Sequence, residues 1–210
     1  PVHLPTIDFS RFYGDEAERA GLIKELTRVL HDHGFFYLTG HGVPQSLIDD
    51  VIAVSKRFFA LPEADKLAIE MVKSSHFRGY NRAGYERTRG EQDWREQLDI
   101  NTEGEPVASG PDTPWNRLFG PNPWPAALPE LNPLLLRYQA EVPRIGIDVL
   151  KAIALSLGHP ENAFADLSEP SPSPLLPITP YPRRAAPRRH PGLRPPQHAR
   201  LLPVSFLPSP

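Results

Sequence analysis

Apolar positions follow two spacings in turn through residue 168, and together they predict alternating strands and helices. Leu4-Pro5-Thr6-Ile7-Asp8-Phe9 is a short apolar run with a proline near its edge and predicts a strand. Asp15 offers a helix N-cap. Leu22, Ile23, Leu26, Val29 and Leu30 follow at helical spacing, and Gly34 stands at the expected stop. Phe35-Phe36-Tyr37-Leu38-Thr39 is too short for a helix and predicts a buried strand, after which His41-Gly42-Val43 turns the chain. Pro44 suits the first position of a second helix. Its inner face is predicted to carry Leu47, Ile48, Val51, Ile52, Ser55, Phe58 and Phe59. Leu61-Pro62 ends that helix, and Pro62 to Lys66 opens a shorter one.

Residues 77–103 have little helical period and predict strands and loops, with Gln97-Leu98-Asp99-Ile100 as a strand. Residues 106–130, rich in proline, glycine and asparagine, predict an ordered loop. A long helix follows, with Asn132 as cap and Pro133 at its first position. Tyr138, Val142, Ile145, Val149, Ile153 and Leu157 form its stripe, and Gly158 closes it. Pro143 falls inside this pattern, where a proline removes a hydrogen bond and kinks a helix. Residues 170–210 show neither period, and their prolines predict a segment that buries too little to offset its ordering entropy.

Composition changes the picture in three places. There is no cysteine among the 210 residues, which excludes disulfides, thiol catalysis and cysteine-based metal sites and suits a cytoplasmic setting. The formal net charge is -2, giving no global pull toward nucleic acid or a membrane, and no apolar run is long enough to span a bilayer. The 27 prolines crowd toward the end, where no Asp or Glu follows Glu169 and six Arg lie between Arg183 and Arg200.

Six segments then occur in one order. They are Pro5-Thr6-Ile7-Asp8-Phe9, the run from His33 through Leu38 with Gly40-His41-Gly42-Val43-Pro44, and Phe58-Phe59 with Leu61-Pro62 and Lys66. After these come Arg78-Gly79-Tyr80, Trp94-Arg95-Glu96 leading into Leu98-Asp99-Ile100, and Gly120-Pro121-Asn122 with Trp124-Pro125. Taken together they resemble the isopenicillin N synthase-like family of non-haem Fe(II)/2-oxoglutarate-dependent oxygenases; a single "HG" or "RGY" would mean little. The resemblance covers residues 4–168 and continues faintly to Tyr181-Pro182.

It implies an α+β fold: the N-terminal mixed helix/strand region of a double-stranded β-helix (jelly-roll) oxygenase, with most of the jelly-roll core missing. The expected division is an N-terminal dioxygenase domain at 1–125, a long helix and connection at 126–168, and a Pro/Arg-rich tail at 169–210. It also implies oxidation of a small-molecule substrate with Fe(II), dioxygen and 2-oxoglutarate; from the near-zero net charge and the lack of a spanning run, no nucleic acid and no membrane is expected as partner. Arg78 resembles a position that meets a substrate carboxylate, and Tyr80 and Tyr181 would line the same pocket. Read without the family, Arg78 is a surface arginine in a glycine-rich turn, and the two tyrosines are core packing.

The chemistry requires a facial triad of two His and one carboxylate, which leaves coordination positions open. The family supplies it as His-x-Asp and a distant second His, followed by an Arg-x-Ser that grips 2-oxoglutarate. These 210 residues contain no His-x-Asp. His159-Pro160-Glu161 reads as a chance match in spacing, and His31 and His33 as residues that suit a helix C-terminus. His41 reads as a structural hydrogen-bonding group, while His190 and His198 have no acidic partner nearby in sequence. No metal ligand and no catalytic residue is therefore assigned, and Fe(II) and 2-oxoglutarate are expected of the family but not bound by this chain. Glu91, Asp93, Glu96 and Asp99 read as a solvated strand edge. The tail is expected to be a frameshifted translation, because its Pro, Arg, Ala and His composition suits a GC-rich gene read in the wrong frame; the alternative is a genuine Pro/Arg-rich tail, an interaction module that binds an anionic partner. The product is expected to be poorly soluble, with uncovered strand edges.

Overall fold

A computed structural model describes residues 4–85, 87–88, 91–92, 95–167 and 176–179. The chain forms two compact units, each discontinuous in sequence. One runs to Gln45 and resumes at Glu141; the other comprises Ser46–Ala140 together with the strand Leu176–Ile178.

The first unit is built on a strand–helix–strand crossover. Strand β1 (Thr6–Asp8) pairs in parallel with β2 (Tyr37–Thr39), with Ile7 opposite Leu38, and helix α1 (Glu16–Asp32) connects them. The predicted start of α1 is a full capping box: the Glu18 amide donates to Asp15 and the Asp15 amide donates to the Glu18 carboxylate. The predicted stop is equally plain. Gly34 adopts φ +71, and its amide reaches back to the Val29 carbonyl at 3.2 Å. Leu22, Leu26 and Val29 form the buried stripe with Ile7 and the stacked pair Phe9 and Phe12.

The buried strand expected at Phe35–Thr39 is corrected. Only Tyr37–Thr39 is strand, and Phe35 and Tyr37 are about half exposed. A run of large apolar side chains is buried only where both faces of its strand are covered, and in this unit the one strand paired with it is β1.

The C-terminal part of helix α4 (Leu131–Ser156) belongs to the same unit. The Tyr13 hydroxyl donates to Asp148 at 2.5 Å, Arg19 pairs with Glu161 at 2.8 Å, and the Thr27 hydroxyl donates to the Ser156 carbonyl. Helix α4 starts one residue before the expected cap, so Asn132 and Pro133 lie in its first turn, where a missing amide proton costs nothing. Leu157, expected on the stripe, lies beyond the helix and is exposed. Pro143 stays inside α4 and cannot donate to the Gln139 carbonyl; the division between units, at Ala140/Glu141, falls beside this gap in the ladder.

His41 has the structural role expected of it. Its Nδ1 accepts the Val43 amide at 3.2 Å, and Arg144 donates to its carbonyl. Burial, and then the positive charge of Arg144, hold its imidazole below the ordinary histidine value. The unfolded chain therefore binds this proton more tightly. The stabilisation is fully present above the unfolded value of about 6.5 and is lost as pH falls through the lower folded value. Melting temperature should drop between neutral pH and pH 5, and the His41→Asn variant, which keeps an acceptor for Val43 but cannot protonate, should show a shallower drop. Equal slopes for the two proteins would remove His41 as the cause.

In the second unit, helices α2 (Gln45–Phe59) and α3 (Glu63–Ala68) precede a three-stranded antiparallel sheet. Its order is β3 (Gly79–Asn81), β6 (Gln97–Ile100) and β7 (Leu176–Ile178). A small hairpin, β4 (Arg87–Thr88) with β5 (Glu91–Gln92), lies between β3 and β6 in sequence. Tyr80 pairs with Leu98, and Leu98 with Ile178. The core contains Val54, Phe58, Ile69, Tyr80, Leu98, Ile100, Leu128, Leu131 and Leu135. Val54 was absent from the expected face of α2, whereas Val51 and Ile52 on that face are only partly buried.

Strand β7 corrects the expectation that nothing after residue 170 orders. Leu176 and Ile178 find apolar cover on the core, and Pro177, which lacks an amide proton, fits because β7 is the edge strand. The loop over residues 106–130 is as expected apart from a short 3-10 turn at Pro114–Leu118.

Candidate functional site

The motif residues of the second unit converge around β3. Gly79 adopts φ +119, and a Cβ there would strike the Ile69 carbonyl oxygen and come within 3.1 Å of Pro123. That close approach lets the Tyr80 amide donate to Ile69 at 2.9 Å, and it gives the glycine of Arg-Gly-Tyr a physical reason.

Arg78 is 1 % exposed, which overturns its reading as a surface arginine. Its guanidinium donates to the carbonyls of Thr102 at 2.9 Å, Leu118 at 2.7 Å and Gly120, and to the Asn122 side chain at 3.4 Å. Burial lowers its pKa from the ordinary arginine value and the nearby Glu103 opposes this; an arginine remains charged throughout. Glu103 in turn accepts from the Asn122 amide at 3.0 Å, the Asn122 side chain at 2.8 Å and the Trp124 indole at 3.2 Å. Arg78 and Glu103 thus organise the chain from 101 to 124 through fixed polar contacts.

Tyr80 packs as its plainer reading predicts. It is 1 % exposed, edge-on to Phe58 at 6.0 Å, with the Lys66 ammonium 5.4 Å from its ring centre. Burial raises its hydroxyl pKa well above the ordinary tyrosine range, and the Glu96 carboxylate, hydrogen-bonded to it, adds to the rise. Lys66 donates to the Phe59 carbonyl at the end of α2 at 3.1 Å and to both Glu96 oxygens at 3.3 Å. A cation at a helix C-terminus is favoured by the dipole. This is the geometry behind the spacing from Phe58-Phe59 to Lys66, and it joins that motif to Arg-Gly-Tyr and to Trp94-Arg95-Glu96.

The solvated edge expected of the acidic cluster is corrected for two of its members. Glu96 is ion-paired to a buried lysine, and Asp99 is itself buried and accepts from Gln97 at 2.8 Å. The side chains of Glu91 and Asp93 lie outside the described residues, as do Tyr181, His190 and His198. Sequence reasoning singled out neither Glu103 nor Asn122. Asn122 stands in a motif segment, which was the available signal; Glu103 stands in none.

The described residues do not fit an iron centre. Among them no three His, Asp or Glu side chains converge as a metal-ligand set. His31 pairs with the adjacent Asp32 at 2.8 Å, and the His159 amide closes the end of α4 on the Ala154 carbonyl.

Residues 4–127 match the family described as "non-haem dioxygenase in morphine synthesis N-terminal". The chain belongs to this family. Among relatives of this non-haem dioxygenase chain, the 2-oxoglutarate-dependent dioxygenase frbJ of Dothideomycetidae sp. (strain 11243) is 38% identical over 180 residues, covering 85% of this chain and 48% of the relative. Homoarginine-6-hydroxylase 2-ODD-233 of Oryza sativa subsp. japonica is 31% identical, covering 85% of this chain and 56% of its own length. The chain therefore spans about half the length of these relatives.

The crystal structure of a full-length Neurospora crassa protein in complex with alpha-KG and thymine superposes with a TM-score of 0.67 at 27% identity, over 85% of this chain and 55% of that one. The mixed helix-and-strand fold is that of the N-terminal region of jelly-roll 2-oxoglutarate–Fe(II) oxygenases. No described helix is long and apolar enough to cross a membrane.

Proposed function

We propose that this chain is the N-terminal scaffold of an Fe(II)/2-oxoglutarate-dependent oxygenase acting on a small organic molecule in the cytoplasm. By itself it neither holds iron nor turns over a keto acid. The carrying observation is the family match over residues 4–127, together with relatives named 2-oxoglutarate-dependent dioxygenases. The absence of cysteine supports the cytoplasmic setting. The donors such an enzyme needs, two His and one carboxylate on one side of the metal, have no His-x-Asp to supply them in these 210 residues.

In this reading Arg78 and Tyr80 serve the substrate side by fixing the loop and the strand beneath it. Their polar atoms are directed to the Thr102, Leu118 and Gly120 carbonyls and to Glu96. Tyr181 keeps its proposed place beside the substrate on the strength of the resemblance.

Anaerobic Fe(II) titration of the 210-residue chain, followed by 2-oxoglutarate, tests this proposal. The expected result is no charge-transfer band. Stoichiometric iron binding with keto-acid turnover would overturn it.

A second reading rests on the run of six arginines between Arg183 and Arg200 with no acid after Glu169: an interaction module whose tail binds an anionic partner. Filter binding to an acidic polymer at two salt concentrations separates the readings, since a contact made by several arginines weakens steeply with salt.

A further inference from the structure

The two faces of the β3-β6-β7 sheet differ in chemistry. Side chains alternate along a strand, so the register assigns each residue to a face. Tyr80 pairs with Leu98, and Leu98 with Ile178; Tyr80, Leu98 and Ile100 belong to the apolar core, against which Leu176 and Ile178 pack. The opposite face takes Asn81 and Gln97, which pair with each other, and Asp99, which pairs with Gly79 on one side and Pro177 on the other. Thr179, one residue past β7, reaches the same face. One side of the sheet is thus apolar, and the other carries two amides, a carboxylate and a hydroxyl.

These polar groups are ordered in one direction. The Thr179 hydroxyl donates to the Gln97 side-chain oxygen at 3.5 Å, and the Gln97 side-chain nitrogen donates to the two Asp99 oxygens at 2.9 and 2.8 Å. The Asn81 side-chain nitrogen donates to the Met71 sulfur at 3.4 Å, which turns its oxygen away from Met71. The relay therefore ends on an acceptor. A carboxylate accepts at about four lone-pair sites, more than one Gln97 amide fills. Gly79, opposite Asp99, places no side chain beside the carboxylate on that strand.

Burial falls off across the face. Asp99 and Asn81 are 5% and 4% exposed, Gln97 and Thr179 are partly buried, and Pro177 is exposed. The carboxylate lies at the deep end, and the face opens along Gln97 and β7. A carboxylate is costly to take out of water. Holding the Gln97 amide does not require one, because the side-chain oxygen of an asparagine would accept the same bond at a smaller desolvation cost.

We propose that this face recognises the substrate, and that Asp99 receives a cationic nitrogen group on it, with the Asn81 oxygen as a second acceptor. Calling the ligand a substrate rests on the oxygenase reading; the affinity of the face for a cationic nitrogen does not.

The test is an NMR titration of the full 210-residue chain, following the side-chain amide signals of Gln97 and Asn81. The probes are butylguanidinium, butyrate (opposite charge) and butanol (no charge). Butylguanidinium should shift the Gln97 signal saturably, and the other two should do little. Asp99→Asn, similar in shape and still able to accept from Gln97, should weaken butylguanidinium binding about tenfold. Should that variant fail to fold, the contrast between cation and anion on the unaltered chain decides alone. No saturable response to butylguanidinium, an equal response to butyrate, or undiminished binding by a folded Asp99→Asn would each overturn the proposal. The probes need no iron, so this outcome and that of the anaerobic iron titration are read separately.

Discussion

Replacing Arg78 with methionine is expected to cost about 3–5 kcal/mol, enough to abolish a cooperative melt in a marginally stable domain. The size follows from what is left behind. Methionine fills much of the same space, but the buried Gly120 carbonyl and the half-buried contacts to Thr102 and Leu118 lose the donor they share. Arg78→Lys should recover part of the loss, because an ammonium keeps the charge but cannot spread its donors in the plane that these acceptors occupy. Urea denaturation followed by tryptophan fluorescence measures both variants. The lysine variant matching the parent would mean that charge alone holds the loop and that the guanidinium fork is dispensable.

Gly79→Ala should be nearly as damaging, at about 2–4 kcal/mol, for a different reason. A φ of +119 disfavours any side chain, and the new Cβ would meet backbone, the Ile69 carbonyl, which cannot swing aside as a flexible side chain could. The Tyr80-to-Ile69 hydrogen bond and the pairing of β3 with β6 depend on that approach. Gly104→Ala is the control: its Cβ would meet nothing within 4 Å and no positive φ constrains it, so the change should stay within about 0.5 kcal/mol. Similar losses in the two variants would show that Gly79 is replaceable and that its motif has another origin.

Local cues were legible because local forces act on them. Asp15 and Glu18 satisfy amides within one turn of each other, and Gly34 relieves a left-handed residue at the end of the same helix. The family resemblance was legible for a related reason: its motifs are residues whose chemistry is demanding, such as a glycine against a carbonyl or a lysine on a helix end. Their purpose was not legible. Lys66, Tyr80 and Glu96 lie apart in sequence, and nothing in their spacing says that they meet around one ring. Arg78 looked exposed because charge is the only property that a sequence displays for an arginine, and its burial depends on three carbonyls of residues 102–120.

Short-range patterns alone were enough for the succession of the main helices, for the cap and stop of α1 and for membership of the non-haem dioxygenase family. The tertiary structure alone decided that Leu176–Ile178 becomes a strand, that Phe35 and Tyr37 stay exposed, and that Arg78 turns inward. In each case the outcome depends on whether a distant segment supplies a pairing edge, an apolar cover or a set of acceptors, and no local period encodes that.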